Sequence, residues 1–143
     1  MIVKSLCETE KIAKKLASKL KGNEVIALYG DLGVGKTAFT RALASFFGLE
    51  DEVSSPTFSL VNEYSNEKIR ICHFDMYRIS GFEDLESTGF FDYIGNAVLV
   101  IEWSENVDKY LPENTIKIRF SRYGENARII DVEGVDLSES FGS

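Results

Sequence analysis

From residue 8 to about residue 21, apolar side chains recur at helical spacing: Ile12, Leu16 and Leu20 stand at i, i+4 and i+8, with Ala13 and Ala17 beside them. This stripe predicts a surface helix with one face on a core, and Gly22-Asn23 stops it. Val25-Ile26-Ala27-Leu28-Tyr29 is a short, nearly continuous apolar run, the pattern of a strand buried on both faces. The helical period returns from Thr37 to about Phe47, with Phe39, Ala42, Leu43 and Phe46 predicted inward and Gly48 as the stop. Beyond it the pattern turns to strands. Residues 58–64 and 68–74 flank a predicted hairpin turn at Ser65-Asn66-Glu67, residues 83–87 read as a short helix, and residues 97–101 form a second fully apolar strand. Residues 115–121 and 127–132 alternate and predict a closing hairpin around Tyr123-Gly124-Glu125. The order predicts an α/β fold of three layers, whose mixed sheet has a parallel centre and antiparallel additions.

Bulk properties narrow the class. At 143 residues, with 44% hydrophobic and 27% charged positions, the chain is expected to form one domain, residues 1–143, with its own core. Two prolines and eleven glycines weigh against a low-complexity chain. No apolar run approaches the ~20 residues of a membrane span. With no export segment read at the N-terminus, a cytoplasmic location and no membrane partner are expected. Cys7 and Cys72 form no CxxC or Cys/His cluster, which argues against a thiolate metal site and a disulfide framework and predicts two small buried hydrophobes. A net charge of −7 speaks against tight direct binding to a nucleic-acid backbone. Lys11, Lys14, Lys15, Lys19 and Lys21 gather mostly on one side of the first helix, as a solvated face or, alternatively, a local basic patch.

The strongest chemical signal lies between the first apolar strand and the second helix. Gly30-Asp31-Leu32-Gly33-Val34-Gly35-Lys36-Thr37 matches GxxxxGK[ST], the phosphate-loop pattern of nucleotide-binding proteins. Glycines let the backbone close around phosphate so that several N–H groups point at its oxygens, and the helix start adds the positive end of its dipole. Lys36 is expected to bridge the β- and γ-phosphates of ATP, and the Thr37 hydroxyl to ligate Mg²⁺. A chance match in a chain of this size is expected roughly once in 200, and this one also has the strand-before, helix-after context.

Such a site needs a carboxylate at the end of a neighbouring strand. Two apolar runs end in one: Val98-Leu99-Val100-Ile101-Glu102 and Ile69-Arg70-Ile71-Cys72-His73-Phe74-Asp75. Arg70 and His73 interrupt the second, so the metal is assigned to Glu102, leaving Asp75 to orient or deprotonate the attacking water. An exposed strand-end acid is the plain alternative for each. Ser54-Ser55-Pro56-Thr57 occupies the place of a loop that senses the γ-phosphate, with Thr57 offering its hydroxyl, or is an ordinary loop. His73, the single histidine, reads equally as a satisfied strand residue or a catalytic one, and zinc has no second ligand beside it. Tyr77 and Arg78 are candidates for contact with phosphate or a partner, with a surface ion pair as the alternative for Arg78.

Taken together, the phosphate loop, Ser55-Pro56-Thr57-Phe58, His73-Phe74-Asp75-Met76-Tyr77-Arg78 and Ile101-Glu102-Trp103 resemble the TsaE (YjeE) family, from about residue 8 to residue 128. The HxDxYR segment at this spacing makes the resemblance specific. It implies a weak, Mg²⁺-dependent ATPase required for threonylcarbamoyladenosine (t6A) formation on tRNA at position 37. The partners implied are TsaD, the transferase, and its paralogue TsaB, with tRNA engaged only through the complex. Hydrolysis of ATP to ADP would reset the transferase between turnovers. By motif, Gly30, Asp31, Leu32, Gly33, Val34, Gly35, Lys36, Thr37 and Ala38 would cradle the nucleotide, with Thr37 and Glu102 on the metal. Lys36, Thr57 and Asp75 would be catalytic or switch residues, and Trp103 would flank the site. Thr9 is a candidate neighbour of the adenine or, alternatively, the N-cap of the first helix. Residues 134–143 carry no distinctive pattern, as in a disordered tail. Competing readings are a small-molecule kinase, for whose lid the chain has little room, and a non-catalytic ATP-dependent interaction module. A GTPase is disfavoured because no Asn-Lys-x-Asp motif follows the strands.

Overall fold

The computed structural model describes residues 2–30, 35–49, 61–125 and 127–135. Its seven strands form one sheet: β1 (Ile2–Val3), β2 (Val25–Tyr29), β3 (Val61–Ser65), β4 (Arg70–Asp75), β5 (Val98–Glu102), β6 (Ile116–Tyr123) and β7 (Ala127–Glu133), in the order β1-β7-β6-β2-β5-β4-β3. The central β6-β2-β5-β4 pairings are parallel, and β3, β7 and β1 join antiparallel at the two sides. The expected mixed sheet is therefore the observed one. The fully apolar runs became its interior: every residue of β2 and β5 is buried.

Strand alternation sorts the side chains onto two faces. Ile26, Leu28, Ile71, Val98, Val100, Ile116 and Ile118 pack against two helices, α1 (Leu6–Lys19) and α2 (Lys36–Ser45), which contribute Ile12, Leu16, Phe39 and Leu43 among others. On the other face, Val25, Cys72, Phe74, Leu99 and Ile101 meet the short helices α3 (Phe82–Ser87) and α4 (Phe90–Tyr93) through Leu85 and Phe90. Each large aliphatic or aromatic side chain so buried contributes about 1.5–3 kcal/mol.

Local signals explain the helix ends, and four expectations are corrected. Helix α1 begins at Leu6, two residues earlier than the apolar stripe predicts, because Ser5 caps it: its hydroxyl accepts from the Glu8 N–H at 3.2 Å, and the Lys4 N–H donates to the Glu8 carboxylate. Thr9 is thus not the cap; it is buried within the helix. Helix α2 ends at Ser45, where Leu49 N–H bonds Ala44 C=O and Gly48 N–H bonds Ser45 C=O, a Schellman closure. That closure buries Leu49 and turns Phe46, predicted inward, out to solvent. Of the two cysteines only Cys72 is buried; Cys7 is exposed on the first turn of α1. Among the described residues no helix is long and apolar enough to cross a membrane.

Candidate nucleotide site

Strands β2, β5 and β4 run parallel and deliver their C-terminal ends to one edge of the sheet, where ligands bind in open α/β folds. Gly30 follows β2 there with φ +133°, and a Cβ on it would lie 2.5 Å from the Phe120 carbonyl oxygen of β6. Only glycine fits. Gly35 precedes α2 with φ +100°, a left-handed backbone conformation that favours glycine, and a Cβ there would meet none of the described residues within 4 Å.

Lys36, the first residue of α2, is only 4% exposed. Its Nζ donates to the Gly30 carbonyl oxygen at 2.8 Å and lies over the Trp103 ring, 5.1 Å from the centroid. The ammonium is thereby held by a carbonyl dipole and a π face. Thr37 and Ala38 follow in the same turn, both half-buried. A helix start presents backbone N–H groups and the positive dipole end, which suit an anion. Between α1 and α2 opens a groove of about 290 Å³, lined by Leu6, Glu10, Lys14, Ala38, Arg41, Ala42 and Ser45. Thr9 is buried in α1 and does not line this groove, whereas its neighbour Glu10 does.

Glu102 ends β5 and is buried. In the parallel β4–β5 register it pairs with Asp75, which places both carboxylates on the sheet face that α2 covers. Asp75 Oδ1 accepts the Tyr77 N–H at 2.9 Å, which shapes the turn after β4. His73, fully buried, donates from Nε2 to Glu102 Oε2 at 2.6 Å, and its Nδ1 lies 3.1 Å from the Tyr64 hydroxyl of β3. Of the two sequence readings of His73, the geometry favours the satisfied strand residue, with a partner at each ring nitrogen.

Trp103 adopts the left-handed region, φ +60° and ψ +41°, just past Glu102. For a bulky side chain this costs of order 1–3 kcal/mol and is characteristic of functional sites. Its ring also meets Tyr77, centroids 4.9 Å apart. The β4 and β5 exits are stapled together: Met76 N–H bonds the Glu102 carbonyl, and Asn106 Nδ2 donates to the carbonyls of Met76 at 2.8 Å and Tyr77 at 3.1 Å. Glu105 accepts the Gly30 N–H at 3.2 Å, tying the same segment to the glycine turn. Neither Asn106 nor Glu105 was legible beforehand, because their value lies in which backbone groups the topology brings near. Arg78 is exposed. Asp31, Leu32, Gly33, Val34 and Thr57 lie outside the described residues.

Among the described residues no cluster of three or more His, Cys, Asp or Glu could hold a metal alone. Magnesium does not need one: it takes hard oxygen donors, keeps several waters, and is commonly held by one or two carboxylates plus substrate phosphates. Buried Glu102, in register with Asp75, offers oxygen donors of that kind, and the Thr37 hydroxyl in the first turn of α2 is a further hard oxygen.

A family model described as "Threonylcarbamoyl adenosine biosynthesis protein TsaE" matches residues 3–130. The chain is 40% identical to the tRNA threonylcarbamoyladenosine biosynthesis protein TsaE of Aquifex aeolicus over 133 residues, covering 85% of this chain and 95% of that one. With the protein of the same name from Bacillus subtilis it shares 36% identity over 129 residues, 90% of this chain and 80% of the relative. A crystal structure of Bacillus subtilis YdiB superposes with a TM-score of 0.76 at 29% identity, over 99% of this chain and 92% of that one. With the family match spanning nearly the whole described sheet and both sides of the candidate-site edge, the chain belongs to the TsaE family of threonylcarbamoyladenosine biosynthesis.

Proposed function

We propose that this protein binds MgATP at the edge formed by β2, β5 and β4 and hydrolyses it slowly, in the service of t6A formation on tRNA. The observation that carries this reading is that Lys36, at the start of α2, rests its ammonium over Trp103, the residue after Glu102, which itself pairs in register with Asp75 at the ends of adjacent parallel strands. A cation for phosphate, a buried acid for metal and a second acid for water are the three groups that phosphoryl transfer to water requires.

In this scheme the γ- and β-phosphates take the Lys36 ammonium from the Gly30 carbonyl, and the first-turn N–H groups of α2 receive phosphate oxygens. Mg²⁺, when bound, neutralises charge on the phosphates. Glu102 and Thr37 are the groups that would hold it. Asp75 orients a water whose oxygen attacks the γ-phosphorus; the bond from that phosphorus to the bridging oxygen breaks, and the water's proton passes to Asp75. ADP and inorganic phosphate leave. The groove between α1 and α2, beginning at Ala38, is the place suited to the base. TsaD and TsaB are the partners this reading takes from the family resemblance. A site completed on assembly withholds its last charge-stabilising group until then, and such a group is worth ~10³–10⁵ in rate.

Titration with ATP, ADP and GTP, with and without Mg²⁺, tests the reading through the fluorescence of Trp103, the single tryptophan. A saturable, adenine-selective response lost in Lys36→Ala is expected, followed by hydrolysis that rises when TsaD and TsaB are added. Calorimetry showing no nucleotide binding would overturn it.

A further inference from the structure

Three neighbouring strands each lend one side chain to a buried chain of contacts: Tyr64 from β3, His73 from β4 and Glu102 from β5. Tyr64 and His73 are 3% and 0% exposed, so neither ring can exchange its partner for bulk water. A carboxylate accepts only, so His73 Nε2 must carry the proton in its 2.6 Å bond to Glu102 Oε2. In the neutral ring Nδ1 then accepts from the Tyr64 hydroxyl, 3.1 Å away. Tyr64 thus fixes which nitrogen of His73 faces Glu102.

We infer that His73 is a positioning residue for Glu102: it locks the carboxylate's terminal rotation by engaging Oε2 and so presents Oε1 to the magnesium–phosphate site. The inference rests on the MgATP reading above. Its physical basis is the softness of that torsion. Terminal sp³–sp² bonds in Glu have broad, two-fold profiles, so an unheld carboxylate would swing. Here it stands beside a second acid, Asp75, whose repulsion would favour turning away from the shared edge. A fixed donor from the strand interior resolves the conflict. Histidine suits the position because it spans from the β4 register place opposite Val100 to the next pair, Asp75–Glu102, while its other nitrogen is anchored one strand further out. Partners that orient metal-binding groups in this way typically contribute 10–100-fold to metal affinity.

Two readouts test this without relying on turnover. In the full-length, metal-free protein, ¹⁵N spectra of the single histidine are expected to show a protonated Nε2; an unprotonated Nε2 overturns the assignment. In the second, ATP affinity is measured with and without Mg²⁺ through Trp103 emission. His73→Phe, which keeps a ring but no donor, is expected to cut the Mg²⁺-dependent gain in affinity about 10–100-fold. His73→Gln, which keeps an N–H donor at similar reach, is expected to retain most of it. A merely structural role would weaken binding alike with and without metal, and that result, or an undiminished gain in His73→Phe, overturns the inference. Should His73→Phe not fold, Tyr64→Phe decides: a several-fold loss of the gain supports the relay, and no loss overturns it. If the wild type shows no Mg²⁺-dependent ATP binding, the MgATP reading itself has failed, whatever the spectra show.

Discussion

The Lys36 ammonium is shared between the Gly30 carbonyl oxygen, at 2.8 Å, and the face of the Trp103 indole, 5.1 Å from its centroid. A cation at that distance perturbs the indole, and on the proposed function a bound phosphate would draw it away and remove the perturbation. Lys36→Met should therefore change Trp103 emission before any nucleotide is added, in the same direction as saturating ATP changes the wild type. Emission spectra of the two proteins check this. Identical spectra without nucleotide would mean that Lys36 does not rest on the indole in solution.

Asp75 and Glu102 are register partners, yet their environments separate their roles. Glu102 is buried and bound by His73, whereas Asp75 is partly open and, among the described residues, accepts the Tyr77 N–H. Asp75→Asn keeps that backbone bond and loses the basic oxygen. On the proposed function, it should lower ATP turnover by about 10²–10⁴-fold, the usual contribution of a general base, with ATP affinity little changed. Glu102→Gln should instead lose the Mg²⁺ dependence of binding. Single-turnover hydrolysis and equilibrium titration separate the two; an active Asp75→Asn removes Asp75 from the chemistry.

Gly30 and Gly35 both have positive φ but differ in their surroundings. Alanine at Gly30 would add a Cβ 2.5 Å from the Phe120 carbonyl, where backbone on both sides prevents relief, whereas at Gly35 it meets none of the described residues within 4 Å. Gly35→Ala should cost only the backbone strain, about 1–2 kcal/mol. Gly30→Ala should cost clearly more, separating β2 from β6 or failing to fold. Urea denaturation of both variants gives the comparison.

Much of this architecture was legible because it depends on local pattern. The five-residue apolar runs of β2 and β5 declared a doubly covered strand, and GxxxxGK[ST] marked the stretch of sequence between β2 and α2. What stayed hidden depends on register or on competition between short-range bonds. His73 and Glu102 are 29 residues apart and meet only because β4 pairs parallel with β5. Strand β1 has two residues, too few for any period to show, and exists because β7 offers it a partner. Phe46 fits the helical stripe, but the glycine-led closure of α2 ended the helix before it.

On the face away from α2, the Tyr29 hydroxyl donates to Asp108, which also pairs with Lys117 at 3.2 Å, while the Arg119 guanidinium covers the Tyr29 ring. The Tyr29 bond holds the Asp108 carboxyl below its ordinary range, and burial, with Asp108 beside it, pushes the Tyr29 phenol well above its own. The two shifts bracket a pH window. A depressed acid stabilises the fold above its unfolded value, about 3.9, and that contribution is lost as pH falls through the folded value. A raised phenol stabilises it below about 10 and fails as pH rises toward the folded value. Tyr29→Phe should cost about 1 kcal/mol at pH 7, with the wild-type advantage shrinking below about pH 4 and above about pH 10. Thermal unfolding across that range measures it; a constant difference would show that the hydroxyl is not coupled to Asp108.

Cys72 and Cys7 should differ sharply in reactivity. Cys72 is fully buried in the core between β4 and the α3–α4 side of the sheet, and burial pushes its thiol up to about 11. Only the thiolate is nucleophilic, so at pH 8 Cys72 is protected twice, by protonation and by access. Cys7 stands exposed on the first turn of α1. Native protein treated with iodoacetamide should take up one label, located to Cys7 by peptide mass spectrometry, and a second only in denaturant. Because Cys72 pairs in register with Leu99 of β5, its labelling rate in the native protein also reports how often β4 leaves the sheet. Labelling of Cys72 as fast as Cys7 would mean that the strand carrying His73 and Asp75 opens readily, and would remove the rigid support on which the positioning of Glu102 depends.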